Sequence, residues 1–369
     1  MLGQPDKCLI DYLKKTDALS KLYKKTSLQE YTILFPPTYR YQKDLKERVF
    51  HPWKDEHGRL PGYADRILFK PSVTYAETYD PDRIQELFPS SSQNLYATST
   101  ISPYDIFSST DHPVLGSDHL PVVARFSICG EDVRVITFNC SRDTSAVGAL
   151  LERLNQETET VATILMLQEA SDPIVQMVDS QWKPTKSFSQ CGFGLECFIE
   201  HLCTRFVLAL FFKEKMIKPG EHDAAGRLFD NIQESRMCHG TDDAGGGMIK
   251  QLLKTKGLMY VDVYIPTPEP NEPHTLRVIN LHAPFDDQDT MEKFFLSVIE
   301  KHALPDTPSN VATIAAGDYN SRSLVAMDGD RDRNWDYTKD IPETCSRAKR
   351  QTTVFSPLRR SRAPPLQFV

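Results

Sequence analysis

The stretch "PVVARFSICGEDVRVITFNC", residues 121–140, decides the fold because it holds two strands that must lie side by side. Apolar and polar residues alternate on both sides of a four-residue polar turn, Cys129 to Asp132, in which Gly130 is the residue best suited to a turn. Val122, Ala124 and Phe126 share one parity in the first run, as do Val133, Val135 and Thr137 in the second. The pattern predicts an antiparallel hairpin.

Polar residues flank this hairpin at its open end. The segment "SDHLP" places Asp118 and His119 before the first strand, and "FNC" places Asn139 at the end of the second. The open ends of a hairpin lie at the same edge of a sheet. We therefore expect these side chains to lie close together.

The bulk composition indicates a globular protein of one large or two ordinary domains. The chain has 369 residues, of which 40% are hydrophobic, and this is ample for a core. It has no apolar run of about 18 residues and no signal-peptide pattern, so we expect a cytoplasmic protein. Its eight cysteines form no CxxC pair, and its net charge of −7 argues against general nucleic-acid binding.

The remaining pattern predicts alternating strands and helices. A helix is expected over residues 8–25, where Asp11 and Asp17 stand between lysines and indicate a solvated face. Strands are expected at 66–75, 120–128, 133–139, 163–169, 207–212, 259–265, 276–282 and 311–320, and helices at 145–154, with Asp143 or Thr144 as N-cap, and at 289–302. This predicts an α/β protein in which two packed mixed β-sheets are flanked by helices. Residues 326–369 are polar and finally basic, which predicts a disordered tail.

Four strand ends carry polar residues, and their joint occurrence is the main functional signal. Asn139 and Glu169 end two strands, Asp318 and Asn320 end a third, and a His–Asp pair precedes a fourth. Carboxylate and amide oxygens suit Mg²⁺, and a histidine beside an aspartate can meet a phosphate oxygen. Together they predict a metal-assisted phosphoester hydrolase.

Several motifs make this prediction specific. "GDYNSR" (317–322) resembles GDxN[FY]R, although Ser321 stands where that motif has an aromatic residue, and "RLPGYADRIL" (59–68) resembles RxP[SA][WY][CT]DR[IV]L. "FPPTYRY" (35–41) and "SDHLPV" (117–122) are similar to two further motifs of the same family. These are motifs of inositol-polyphosphate 5-phosphatases in the endonuclease/exonuclease/phosphatase superfamily. The resemblance implies the four-layer α/β sandwich of the DNase-like phosphatase fold.

The motifs stand in a different order from that of the family. There, the motifs similar to "FNC", "LQE", "INLH" and "GDYN" come first, whereas here they follow the others. The resemblance thus implies a circular permutation, with residues 1–129 forming the second half of the catalytic domain and residues 130–325 the first half. The alternatives are a fragment spanning two tandem domains and a misassembled gene model.

The resemblance also implies the metal and catalytic residues. Glu169 would be the main Mg²⁺ ligand, with Asn139 beside it and Asp118 near the metal.

Asp318 would orient or deprotonate the attacking water, and Asn320 would hydrogen-bond the developing charge. His119 would bind the scissile phosphate, Asp65 would fix its tautomer, and His282 would be a second phosphate-facing histidine. The arginine of "ADRIL" is expected to form a buried salt bridge.

Substrate-binding residues are implied by the same resemblance. Tyr39, Arg40 and Arg59 would contact the 4-phosphate of the substrate. His57 stands where a lysine is common in the family, and Lys256 resembles the lysine of an NKGG motif.

The function implied is a Mg²⁺-dependent phosphomonoesterase that removes the 5-phosphate from phosphoinositides, such as phosphatidylinositol 4,5-bisphosphate, or from soluble inositol polyphosphates. One alternative is a catalytically impaired phosphoinositide-binding protein. Another is a sphingomyelinase-like or nuclease-like phosphodiesterase of the same superfamily. We expect a monomer without a nucleic-acid partner, and the basic tail leaves open a peripheral contact with an anionic membrane.

Overall fold

The computed structural model describes eleven strands and three helices. The described residues are 11, 14–15, 17–23, 26, 28–30, 33, 35, 37–39, 62–70, 105–106, 116–128, 131–156, 161–191, 207–214, 232–238, 257–265, 274–283, 294–295 and 311–321. The strands are β1 (Asp65–Lys70), β2 (Asp105–Ile106), β3 (Val122–Ile128), β4 (Glu131–Asn139), β5 (Ala162–Ala170), β6 (Lys186–Cys191), β7 (Val207–Lys213), β8 (Ile232–Cys238), β9 (Gly257–Ile265), β10 (His274–His282) and β11 (Val311–Asp318). The helices are α1 (Ala18–Leu22), α2 (Thr144–Gln156) and α3 (Asp172–Gln181).

The strands form two mixed sheets, as predicted. Sheet 1 has the order β1-β11-β10-β9-β8, and sheet 2 has the order β2-β3-β4-β5-β7-β6. One pair in each sheet is parallel, β10 with β11 and β4 with β5, and the other pairs are antiparallel. Strands from residues 1–129 and from residues 130–325 pair with one another in both sheets.

The predicted hairpin of residues 121–140 is confirmed. β3 and β4 pair antiparallel with Val122 opposite Thr137, so the apolar residues of both strands share one face. The predicted four-residue turn was too long, because Ile128 already pairs with Glu131. The polar residues Glu131 and Asp132 belong to β4 and not to the turn, because polar side chains are tolerated at the end of a strand.

Three hydrophobic clusters define four layers. The first fills the space between the sheets and takes side chains from both, including Ile67, Val278, Val135 and Ile164. The second covers the outer face of sheet 1 with α1 and residues 294–295, and the third joins α2 and α3 to the outer face of sheet 2. The order helix, sheet, sheet, helix is the predicted four-layer α/β sandwich.

The predicted N-terminal helix over residues 8–25 is wrong at Asp17. This residue is extended (φ −62°, ψ 123°), and its side chain accepts a hydrogen bond from the amide of Ser20, so it caps α1 instead of continuing a helix. Asp17 is also buried, with 2% exposure, which corrects the prediction that it lies on a solvated face.

The second half of the chain follows the predicted pattern with some additions. Asp143 caps α2, because its Oδ1 accepts from the amides of Ser145 and Ala146. Strands β6 and β8 and helix α3 were not predicted, nor was β2 in the first half of the chain. Most of the predicted helix at 289–302 and all of the predicted tail at 326–369 lie outside the described residues. In the part of the chain that is described, no helix is long and apolar enough to cross a bilayer.

Candidate active site

The predicted polar residues meet at one edge of the two packed sheets. Asn139 ends β4 beside β5, and His282 lies opposite Asp318 where β10 and β11 both end. Asp65, at the start of the antiparallel strand β1, is also opposite Asp318. Because each parallel pair delivers its carboxyl ends to the same edge, each sheet contributes one half of this site.

His119 and Asp65 form a buried pair at the centre of the site. Nδ1 of His119 lies 2.8 Å from Oδ2 of Asp65, and the two residues are 5% and 0% exposed. Two hydrogen bonds also hold the backbone of His119. Its amide donates to the hydroxyl of Ser117, and this hydroxyl donates to the carbonyl of Asn139. The imidazole is therefore fixed in orientation before any ligand binds.

The charges around this pair favour an imidazolium. Burial alone would lower the pKa of His119, but the carboxylates of Asp65 and Asp318 raise it to about 10. Burial raises the pKa of Asp65 to about 6, and the charge of His119 opposes this rise. Near neutral pH the proton therefore stays on the imidazole, and Asp65 is a carboxylate.

Asp318 lies between the two histidines and Asn139. Its Oδ2 accepts a 2.8 Å hydrogen bond from the side-chain amide of Asn139. The same oxygen is 3.3 Å from Nε2 of His282 and 3.9 Å from Nε2 of His119. Among the described residues, Asp318 is the carboxylate that lies within 4 Å of Nε2 of both His119 and His282.

Glu169 lies at a break in the pairing of β5 with β7. The register shifts between Leu167 and Ala170, and Glu169 adopts a left-handed conformation with φ +53°. Bulges of this kind turn a side chain toward a site, and the left-handed conformation costs a non-glycine residue about 1–2 kcal/mol. The Glu169 side chain is 23% exposed, and its Oε1 lies 3.8 Å from Nε2 of His282.

The Asp318–Asn320 turn is fastened at both of its polar groups. Asn320 has φ +50°, a conformation that asparagine tolerates better than most residues. Its amide donates to Oδ1 of Asp318 at 2.8 Å, and its side chain donates to the carbonyl of Ala283 at 2.6 Å. The predicted catalytic residues Asp318 and Asn320 therefore form one closed turn beside the end of β10.

Gly317 allows the two strands beneath this turn to approach. A Cβ at this position would lie 2.0 Å from the carbonyl oxygen of Leu281, its partner in the parallel pairing, and φ is +156°. Only glycine avoids this clash, so the glycine before Asp318 is required by the backbone and not by the chemistry.

The donor atoms at this edge fit a hard divalent cation. Glu169 offers a partly exposed carboxylate, and the oxygen of Asn139 is oriented by the amide of Ser141 at 3.0 Å. Asp65, His119 and Asp318 also have ligand atoms within 4.8 Å of one another. Of these groups, Asp65 is fully buried and already bonded to His119, whereas the carboxylate of Glu169 is partly exposed.

The structure describes only some of the other predicted residues. The ring of Tyr39 lies against that of His119, with centroids 4.5 Å apart. Asp118 is half-buried, and its charge contributes to the raised pKa of His119. The predicted substrate-binding residues Arg40, His57, Arg59 and Lys256 lie outside the described residues.

Gln168 and Asn280 help to form the site but were not predicted as site residues. Both are fully buried, on β5 and β10. Nε2 of Gln168 donates to Oδ1 of Asn280 at 2.7 Å, and Nδ2 of Asn280 donates to the carbonyls of Leu167 and Ala209, at 3.0 and 2.8 Å. The motifs "LQE" and "INLH" contain these two residues, but neither motif reveals that they bond to each other across the two sheets.

Comparison with known proteins supports the class that this site suggests. Residues 8–125 match the model of the family described as Endonuclease/Exonuclease/phosphatase family 2. This match covers less than half of the chain and supports an assignment to the endonuclease/exonuclease/phosphatase superfamily, whose members are hydrolases that generally use divalent metals. No curated protein matches the chain.

Two solved structures show a partial likeness. Humanized TDP2 from D. rerio is 16% identical with a TM-score of 0.32, and the alignment covers 53% of this chain and 70% of that one. TDP2 from C. elegans is 13% identical with a TM-score of 0.31, covering 50% of this chain and 47% of that one. Likenesses of this size support no inference about activity.

Proposed function

We propose that this chain is a divalent-metal-dependent phosphomonoesterase that removes the 5-phosphate from phosphoinositides or soluble inositol polyphosphates. The observation that carries the proposal is the position of Asp318, a buried carboxylate that faces both His119 and His282. A buried imidazolium, a second histidine and a carboxylate between them can bind a phosphate and activate water.

His119 provides a fixed positive charge for the phosphoryl group. Asp65 accepts a hydrogen bond from Nδ1–H of His119, so the Nε2–H of His119 remains available to donate to a phosphoryl oxygen. A donor oriented in advance needs no reorganisation as charge develops in the transition state, and is worth on the order of 10² to 10³ in rate. His282 offers its Nε2 to the same space.

Asp318 is the group placed to accept the proton of the attacking water. The water oxygen forms a bond to phosphorus as the bond from phosphorus to the inositol oxygen breaks. The released proton passes to Asp318, and the leaving oxygen takes a proton from solvent, which gives an alcohol and inorganic phosphate. Asn139 holds Oδ2 of Asp318 in place during this step.

Glu169 and Asn139 would hold the metal, which we propose is Mg²⁺. When bound, a divalent cation at this edge supplies Lewis-acid polarisation of the phosphoryl group and stabilises the charge of the reacting oxygens.

The inositol phosphate substrate is supported by sequence motifs more than by geometry. "FPPTYRY" and "RLPGYADRIL" resemble the 5-phosphatase motifs, and the first contains Tyr39, which lies against His119. Arg40 and Arg59 would supply cations for a neighbouring 4-phosphate, and Arg40 can do so in a bidentate manner.

A panel of three substrates tests the proposal. Inositol 1,4,5-trisphosphate, short-chain phosphatidylinositol 4,5-bisphosphate and the diester bis(p-nitrophenyl) phosphate are each incubated with Mg²⁺ and with EDTA. We expect phosphate release from the first two with Mg²⁺ only, leaving products that retain the 4-phosphate. Hydrolysis of the diester alone would favour a phosphodiesterase, and head-group binding without release would favour the catalytically impaired binding protein.

A further inference from the structure

Asp17 connects the N-terminal segment, residues 17–23, to Arg66 and Ser321. These two residues directly follow Asp65 and Asn320 of the candidate active site. Oδ2 of Asp17 accepts hydrogen bonds from the amide of Ser20, at 2.8 Å, and from Nη1 of Arg66, at 2.9 Å. Its Oδ1 accepts a hydrogen bond from the hydroxyl of Ser321. Asp17 is 2% exposed, and each of its oxygens is engaged. This arrangement does not resemble a surface helix cap, whose partners lie within its own helix.

Ser321 is the residue through which the end of β11 contacts this segment. It directly follows Asn320 and is 1% exposed. Its hydroxyl donates to Asp17 and accepts the amide of Leu19 at 3.2 Å, across 302 residues of sequence. The hydroxyl of Ser321 therefore both donates to and accepts from the N-terminal segment.

Two anchors therefore hold the C-terminal end of the Asp318–Asn320 turn, one at Asn320 and one at Ser321. On one side the side chain of Asn320 is bonded to the carbonyl of Ala283. On the other side Ser321 is bonded to Asp17 and Leu19. A left-handed residue such as Asn320 persists only where its surroundings hold it, and Ser321 is the next residue along the chain.

The same aspartate also fixes the start of β1. Arg66 is fully buried and lies between Asp17 and Glu30, bonded to both. It follows Asp65, which orients His119, so the predicted structural role of this arginine has a consequence for the site. One carboxylate thereby contacts the sequence neighbours of both Asp65 and Asn320.

We propose that Asp17 and Ser321 are positioning residues that form a latch between the N-terminal segment and the site. Neither residue touches the reacting groups; each acts through Asn320 or Asp65. The hydroxyl of Ser321 is the group that forms the latch. The similar motif carries an aromatic residue at this position. The catalytic part of the inference rests on the proposed function.

A pair of variants with the same shape tests the latch. Ser321→Thr retains the hydroxyl, whereas Ser321→Val replaces it with a methyl group, and Ser321→Ala serves if the larger side chains do not fit. At a temperature well below unfolding, the Val or Ala variant is expected to lower kcat roughly tenfold to a hundredfold with KM nearly unchanged, as for a catalytic group displaced by about 1 Å. The Thr variant is expected to retain kcat within about twofold. Equal kcat in the variants with and without the hydroxyl would overturn the latch.

A second readout does not require activity. Hydrogen exchange of the peptide that contains residues 317–321 reports the amide of Asn320, which is bonded to Oδ1 of Asp318. We expect faster exchange in the Val or Ala variant and wild-type exchange in the Thr variant, even if the wild type releases no phosphate. Unchanged exchange in every variant would refute the latch, whereas absent phosphate release from the wild type would refute only the proposed function.

Discussion

Gln168 on β5 donates a 2.7 Å hydrogen bond to Asn280 on β10, and this bond joins the two sheets directly beneath the candidate active site. Asn280 in turn donates to two carbonyls at the point where the pairing of β5 shifts register and Glu169 turns outward. The proposed metal ligand on sheet 2 and the histidine at the end of β10 are therefore set relative to each other by an uncharged, buried pair.

Replacing Asn280 with aspartate should disrupt this connection. The variant loses two donated hydrogen bonds and places a carboxylate against two carbonyl oxygens, which should lower the free energy of unfolding by about 3 kcal/mol and weaken Mg²⁺ binding. Urea unfolding and metal titration measure both effects. Asn155→Asp, on the exposed surface of α2, makes the same chemical change and should cost less than about 1 kcal/mol. Equal losses in the two variants would contradict a special role for Asn280.

The left-handed conformation of Glu169 should lower the free energy of unfolding, while its carboxylate binds the metal. Glu169→Asn relieves the left-handed strain and should raise the free energy of unfolding of the metal-free protein by roughly 1 kcal/mol, while metal binding is lost. Lys183, which is exposed and has φ +51°, offers a control, because Lys183→Asn should stabilise the fold without changing metal affinity. A destabilised Glu169→Asn variant that still binds Mg²⁺ would show that this account of Glu169 is wrong.

Tyr39 should act on catalysis through its ring. The tilted stack on His119 has a centroid distance of 4.5 Å and places an aromatic face beside a positive charge, an interaction worth about 0.5–2 kcal/mol. Tyr39→Leu should therefore lower kcat, and Tyr39→Phe should leave kcat near that of the wild type. A large rise in KM for 4-phosphate substrates in the Phe variant would instead assign the hydroxyl to substrate binding.

Gly317 should tolerate no side chain. Gly317→Ala directs a methyl group into the carbonyl of Leu281 and should destabilise the fold by more than about 4 kcal/mol. Gly148, inside α2, would place a Cβ no closer than 4.0 Å to Met177, so Gly148→Ala should stabilise the protein by about 1 kcal/mol. Thermal unfolding of the two alanine variants provides the comparison. A Gly317→Ala protein that unfolds like the wild type would contradict the close approach of β10 and β11.

Local patterns were sufficient to predict the elements that form the site. The alternation of residues 121–140 predicts the hairpin, and polar residues that follow apolar runs mark Asn139, Glu169 and Asp318. The predicted hairpin and strands are present in the structure because burial on one face of a sheet imposes a regular period on the sequence. Their meeting at one edge then follows from the parallel pairing of β4 with β5 and of β10 with β11.

Features that depend on distant partners were not predictable in this way. Asp17 reads as a surface residue among lysines, and only its contacts with Arg66 and Ser321 explain its burial. The sequence contains no glycine at Glu169 that would predict a left-handed residue there. The surrounding structure holds this conformation instead. Circular permutation of the domain remains a prediction from motif order.

The most direct test of the central claim is phosphate release from inositol 1,4,5-trisphosphate by the wild type, Asp318→Asn and Asp262→Asn, each with Mg²⁺ and with EDTA. Asp262 pairs with Arg277 toward the other end of β10, so its variant controls for the loss of a carboxylate away from the site. We expect Mg²⁺-dependent release by the wild type and Asp262→Asn, and a loss of about 10² or more in kcat for Asp318→Asn. Release that persists in EDTA, or that survives in Asp318→Asn, would contradict the account.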